Sequence, residues 1–124
     1  MRSRDTMQAF RHAFSGLWYT LRTQRNMRVH LVITGLLTIL GSWLRLPPDQ
    51  WAVLALTCGL VLISEMINTV VEKLVDLLCP DYHPAAKIVK DVMAGAVVLA
   101  AIVAVLVGLL ILGPPLWVKL TSWL

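Results

Sequence analysis

Three long apolar runs, over residues 30–46, 51–78 and 87–112, constrain this chain more than any other feature. Each is about as long as a bilayer is thick, since roughly 20 apolar residues in a helix cross the ~30 Å hydrocarbon core. Only 15% of the residues are charged and 58% are hydrophobic, whereas soluble domains carry about a quarter charged residues. With 124 residues, the default is a single domain (1–124). The expected fold class is therefore an all-α membrane protein with three transmembrane helices.

Breakers separate the runs. Pro47-Pro48-Asp49 closes the first, because proline cannot continue a helix. The second is long enough, at ~42 Å in helical form, for its last turns to emerge from the bilayer before Cys79-Pro80 ends it. Gly113-Pro114-Pro115 is expected to stop the third. Trp43, Trp51 and Trp117 fall near one interface, and Trp117, Leu120 and Trp123 predict that the tail from Pro114 lies there.

A formal net charge of +4 could mean nucleic acid, but the basic residues are distributed as in a polytopic membrane protein. Arg2, Arg4, Arg11, Arg22, Arg25 and Arg28 precede the first run, and Lys73, Lys87 and Lys90 surround the second connection. Only Arg45 and Lys119 fall on the other side. That asymmetry predicts a cytoplasmic N-terminus, and no aromatic-interleaved basic patch points to nucleic acid. Cys58 and Cys79 are too few and too scattered for a disulfide framework or a zinc site. No signal peptide is expected, because the first apolar run starts late and is too long.

Residues 5–23 form a different kind of segment. Met7, Phe10, Phe14, Leu17, Trp18 and Leu21 recur at helical spacing, with Arg11, His12, Ser15 and Arg22 on other faces. The pattern predicts an amphipathic helix lying in the cytoplasmic interface.

The second run carries the chemistry. Glu65, Asn68, Glu72 and Asp76 stand at i, i+3, i+7 and i+11. At about 100° per residue, all four project within one ~80° sector. A charge near the bilayer centre costs on the order of 2.5–3.5 kcal/mol, so such a row should face protein or water, and it is a functional site by default. Near it, Lys87 and Asp91 open the third helix. Carboxylates hold Mg²⁺, which bridges to phosphates, and lysine answers phosphate oxygens. The combination suits phosphoryl transfer at a membrane surface. No GxxxxGK[ST] or GxGxxG motif is present, so a nucleotide site must be built otherwise. Two other classes compete: a small proton or cation transporter, and a non-catalytic assembly protein. Against transport, Trp51 to Ile63 contains no ionisable group to continue a relay. Three helices alone cannot enclose the row, so oligomerisation is expected.

The stretch Glu65-x-x-Asn68-Thr69-x-x-Glu72-x-x-x-Asp76, followed by Tyr82-His83-Pro84 and Lys90-Asp91, resembles the prokaryotic diacylglycerol kinase / undecaprenol kinase family. The resemblance runs from about Phe10 to Leu112. The stretches His83-Pro84-Ala85-Ala86-Lys87-Ile88 and Arg25-Asn26-x-Arg28-x-His30 look more like the undecaprenol kinase branch. The resemblance implies a homotrimer in the bacterial inner membrane, with its site on the cytoplasmic side. That enzyme moves the γ-phosphate of MgATP to a lipid alcohol, undecaprenol ahead of diacylglycerol. It further implies Glu65 as general base and lipid contact, with Asn68 orienting groups at the reaction centre. Glu72 would ligate Mg²⁺. His12, Gln24, Glu72, Asp76, Asp81, Tyr82, His83, Lys90 and Asp91 would hold the nucleotide, and Ala94 would touch the lipid. One position departs from the family: Gln24 stands where a second metal-binding glutamate is usual.

Overall fold

A computed structural model describes residues 3–124, with side chains from Asp5 onward; Arg2 and the Arg4 side chain lie outside the described residues. Four helices follow one another: α1 (Ser3–Thr23), α2 (Arg25–Leu44), α3 (Pro48–Leu78) and α4 (Pro84–Thr121). The last three are long and apolar enough to cross a membrane. α3 packs mainly against α4, and α2 packs on α3.

The junction between α1 and α2 is tighter than expected. Gln24 alone leaves the helical conformation, at φ −105° and ψ 115°, and α2 begins at Arg25 rather than near His30. Arg28 explains this. Its guanidinium donates to the carbonyls of Leu21 at 3.2 Å and Arg22 at 2.7 Å, two of the groups that the last turn of α1 leaves unpaired. A cation there also complements the helix dipole. Met27 is buried beside this junction.

At its other end α2 stops at Leu44, two residues before the expected limit. Arg45 adopts the left-handed conformation (φ 56°), and its N–H and that of Leu46 return to carbonyls of the last turn. This is a Schellman-type stop, with Leu46 buried. Pro48 then occupies the first turn of α3, where its missing N–H is no loss. Leu46, Leu54 and Leu112 form the buried core at this end, with Trp51, Leu40 and Ile111 packed around them. Gly41 lets Trp51 approach: a Cβ at 41 would lie 2.7 Å from the Trp51 ring.

The expected stop at Gly113-Pro114-Pro115 does not occur. α4 runs through both prolines to Thr121, 38 residues in all. Adjacent prolines remove only two neighbouring backbone donors, so the damage is confined to one turn, and helices of this kind tolerate it where other contacts support the backbone. Beyond the prolines Lys119 anchors the helix end. Its ammonium donates to the Trp43 carbonyl at 2.8 Å and lies 4.2 Å from the centre of the Trp43 ring, tying the end of α4 to the end of α2. Trp117, Leu120 and Trp123 are exposed.

Elsewhere few side chains are buried. Leu56, Leu77 and Leu110 are more than two-thirds exposed, as helix faces that meet lipid or another chain must be. The α1 residues Met7, Phe10, Phe14 and Trp18 are likewise exposed along one strip.

Candidate functional site

The acid and amide row on α3 descends from one end of the helix into the body of the protein. Its four members meet different partners. Asp76, nearest the end, is exposed, and its Oδ1 lies 2.6 Å from Nζ of Lys90 on α4. This pair ties the last turn of α3 to the second turn of α4. Glu72 and Asn68, one turn apart, face each other: Asn68 Nδ2 donates to Glu72 Oε1 at 3.5 Å. Glu65 is the deepest, 2% exposed. Its Oε1 sits 3.4 Å from Nε2 of His30 on α2, without the alignment of a hydrogen bond. Thr69 Oγ1 donates back to the Glu65 carbonyl at 2.9 Å, as hydroxyls do inside helices.

Two buried acceptors lack a donor among the described residues: Glu65 Oε1 and Asn68 Oδ1. Leaving a buried acceptor unpaired costs roughly 1–3 kcal/mol, so such atoms ask for a partner. Both belong to the row.

The turn between α3 and α4 builds a cavity of about 280 Å³ at the same end. Asp76, Asp81, Tyr82, His83, Lys87, Lys90 and Asp91 all line it. Local chemistry holds this turn. The Cys79 N–H returns to the Val75 carbonyl and Pro80 prevents continuation. His83 caps α4: its Nδ1 accepts from the Ala85 N–H at 3.1 Å, and Pro84 takes the first helical position. That bond fixes His83 Nδ1 as an acceptor and leaves Nε2 to donate when the ring is neutral. Lys87 is paired with Asp91 at 2.5 Å. The lining carries three carboxylates against two lysines, a formal balance of −1. Such a ring suits a polyphosphate that arrives with its cation better than a bare anion.

The structure thus brings Asp76, Asp81, Tyr82, His83, Lys90 and Asp91 around one cavity. It does not bring the remaining predicted residues there. His12 is exposed on α1, Gln24 forms the α1–α2 break with no capping bond from its side chain, and Ala94 is exposed on α4, about one turn past Asp91. Glu72 lies below the cavity rather than in its wall.

The described residues contain no group of three His, Cys, Asp or Glu side chains that could hold a metal. Mg²⁺ does not require one, because it keeps several waters and binds through one or two carboxylates plus phosphate. The Glu72 carboxylate with the orphaned Asn68 Oδ1 one turn away is a donor set of that type.

Three residues important to this region were given no part in the site from sequence. His30 faces Glu65 across α2 and α3, and its signal was available, since it is the lone ionisable residue between Arg28 and Arg45. Lys73 lies 5.9 Å from the centre of the Tyr19 ring, tying α1 to α3. Arg28 closes α1.

Comparison with known proteins gives a consistent result. The family model described as prokaryotic diacylglycerol kinase matches residues 11–112. The chain is 51% identical to a diacylglycerol kinase of Synechocystis sp., over 90% of this chain and 65% of that protein. It is 38% identical to an undecaprenol kinase of Bacillus subtilis, over 88% of this chain and 89% of the relative. A diacylglycerol kinase of Escherichia coli is 27% identical over 86% of this chain and 87% of its own length. The chain therefore spans about two-thirds of the Synechocystis relative and nearly all of the other two.

Proposed function

Because this chain belongs to the prokaryotic diacylglycerol kinase family, we propose that it is a lipid kinase that transfers the γ-phosphoryl group of ATP to the hydroxyl of a membrane lipid. The observation that carries the reading is the stacking of two unlike sites along α3. A charged cavity with the Asp76–Lys90 pair stands at the helix end, and a buried carboxylate, Glu65, lies eleven residues or ~16 Å deeper. Water-soluble nucleotide belongs at the first level and lipid alcohol at the second.

The residues divide the work accordingly. Lys90 and Lys87 answer phosphate oxygens once their carboxylate partners release them to the incoming nucleotide. Tyr82 and His83 lie against the nucleotide's organic part. Glu72 and Asn68 stand between the two levels and would hold Mg²⁺ on the polyphosphate. When bound, that ion neutralises charge developing on the transferred group. Glu65 takes the proton of the lipid hydroxyl as its oxygen forms the new bond to phosphorus, and the bond from phosphorus to the ADP oxygen breaks. Positioning and charge neutralisation supply most of the acceleration in such reactions.

Undecaprenol is the proposed acceptor, supported by His83-Pro84-Ala85-Ala86-Lys87-Ile88 and by the Arg25-Asn26-x-Arg28-x-His30 stretch. Diacylglycerol is the second reading, favoured by the higher identity to a relative that bears that name. The proposed setting is the bacterial cytoplasmic membrane, with α1 in the inner interface and the cavity facing the cytosol, in keeping with the basic residues at that end. A homotrimer completes the proposal, supported by the scarcity of buried side chains and by the two orphaned acceptors in a single chain. The test of the acceptor offers undecaprenol and diacylglycerol together in mixed micelles with γ-labelled ATP. Label mainly in undecaprenyl phosphate is expected. Label mainly in phosphatidic acid would replace the first acceptor with the second, and no labelled lipid would remove the kinase reading.

A further inference from the structure

The deepest member of the row faces a donor group on another helix. Glu65 is 2% exposed, and its Oε1 has no hydrogen bond within the described residues. A donor group on α2, Nε2 of His30, lies 3.4 Å from it. Neither α2 nor α4 offers a second ionisable side chain within the span. Between Arg28 and Arg45, His30 is the only ionisable side chain, and between Asp91 and Lys119 there is none. Reorientation of the ring would complete the bond, and hydrogen bonds at reaction centres are often long or poorly aligned until the complex is loaded.

His30 also has a second face. It lines the apolar cavity of about 420 Å³ that runs between α2 and α4 past Leu37, Ala101, Gly108 and Leu116. The imidazole therefore stands where that apolar space meets the buried carboxylate. Its backbone is held in register, because the His30 carbonyl accepts from Thr34 Oγ1 at 2.8 Å. The ring is 21% exposed as a side chain, so it is neither a packed core histidine nor a free surface one.

We propose that His30 is a positioning residue for phosphoryl transfer: its Nε2–H holds one oxygen of Glu65, so that the other is aimed at the lipid hydroxyl. A neutral imidazole with its proton on Nε2 suffices, and so does the protonated ring, since both donate from that atom. This inference rests on Glu65 being the base. A buried carboxylate without such a donor would swing or turn toward any other polar group, and misplacement of a reacting group by about 1 Å can slow a reaction about a hundredfold.

The test compares His30→Leu, which fills similar space without a donor, with His30→Gln, whose amide N–H reaches a similar position. Circular dichroism and size-exclusion profiles in detergent verify that both are folded. His30→Leu should lower kcat for lipid phosphorylation about tenfold to a hundredfold, with KM for MgATP unchanged. His30→Gln should recover most of that loss. Full kcat in folded His30→Leu would overturn the inference. So would His30→Gln no better than His30→Leu, or a loss confined to KM for the lipid. Glu65→Gln in the same assay separates the two readings. If it keeps full activity, the base assignment falls and this inference with it. If it is inactive while His30→Leu is active, only the role of His30 falls.

Discussion

Lys90 illustrates how a single side chain can report on the whole site. It is the cation held by Asp76 at 2.6 Å, and it lines the cavity with Asp81, Tyr82 and His83. Lys90→Met removes the charge and keeps the length of the side chain. It should raise KM for MgATP on the order of tenfold, the usual effect of losing a hydrogen bond to a charged group, and leave KM for the lipid unchanged. Steady-state kinetics with each substrate varied in turn checks this. Gln24 gives a second residue-scale prediction. Its carbonyl oxygen can coordinate a hard cation but adds no negative charge. If it is a ligand beside Glu72, Gln24→Glu should lower the Mg²⁺ concentration giving half-maximal rate. An unchanged Mg²⁺ dependence would show that residue 24 is not a ligand.

At the scale of elements, part of the fold is legible from periodicity and length, and part is not. The three spans follow from runs of apolar residues too long for anything but a bilayer. The shared face of Glu65, Asn68, Glu72 and Asp76 follows from 100° per residue, because it is a property of one helix. What one helix does to another is less visible. α2 starts five residues before the apolar run because the Arg28 guanidinium caps α1, and nothing in local spacing announces that bond. α4 passes Pro114 and Pro115, and beyond them Lys119 reaches Trp43, seventy-six positions away in the chain. For the same reason His30 was not paired with Glu65 from sequence. Two tests belong here. Gly41→Ala places a methyl group 2.7 Å from the Trp51 ring, so the turn between α2 and α3 must shift. A loss of about 1–3 kcal/mol is expected from such overpacking, read as a lower midpoint in thermal or denaturant unfolding in detergent. Lys119→Met should release the last turns of α4, seen as faster amide hydrogen exchange after Pro115 with exchange in α3 unchanged.

The whole molecule presents more apolar surface than a lone chain can use. Among the described residues only Met27, Leu46, Leu54, Val61, Val97 and Leu112 are buried apolar side chains, while most of α3 and α4 faces outward. Lipid can cover leucine and valine, but it cannot satisfy Glu65 Oε1 or Asn68 Oδ1. Copies of the chain can exclude lipid from that face. Crosslinking in mild detergent should give a trimer, and a protein that stays monomeric while active would separate catalysis from assembly. In the proposed reading nucleotide and lipid need not compete: one would enter at the Asp76–Lys90 end, the other would reach Glu65 from within the bilayer. The central claim is that this acid row performs phosphoryl transfer. The most direct measurement is transfer of γ-label from ATP into lipid by the unaltered protein beside Glu65→Gln. Labelled lipid from the first and only background from the second, with ATP still bound by both, is the predicted result. Equal labelling by the two proteins would contradict it.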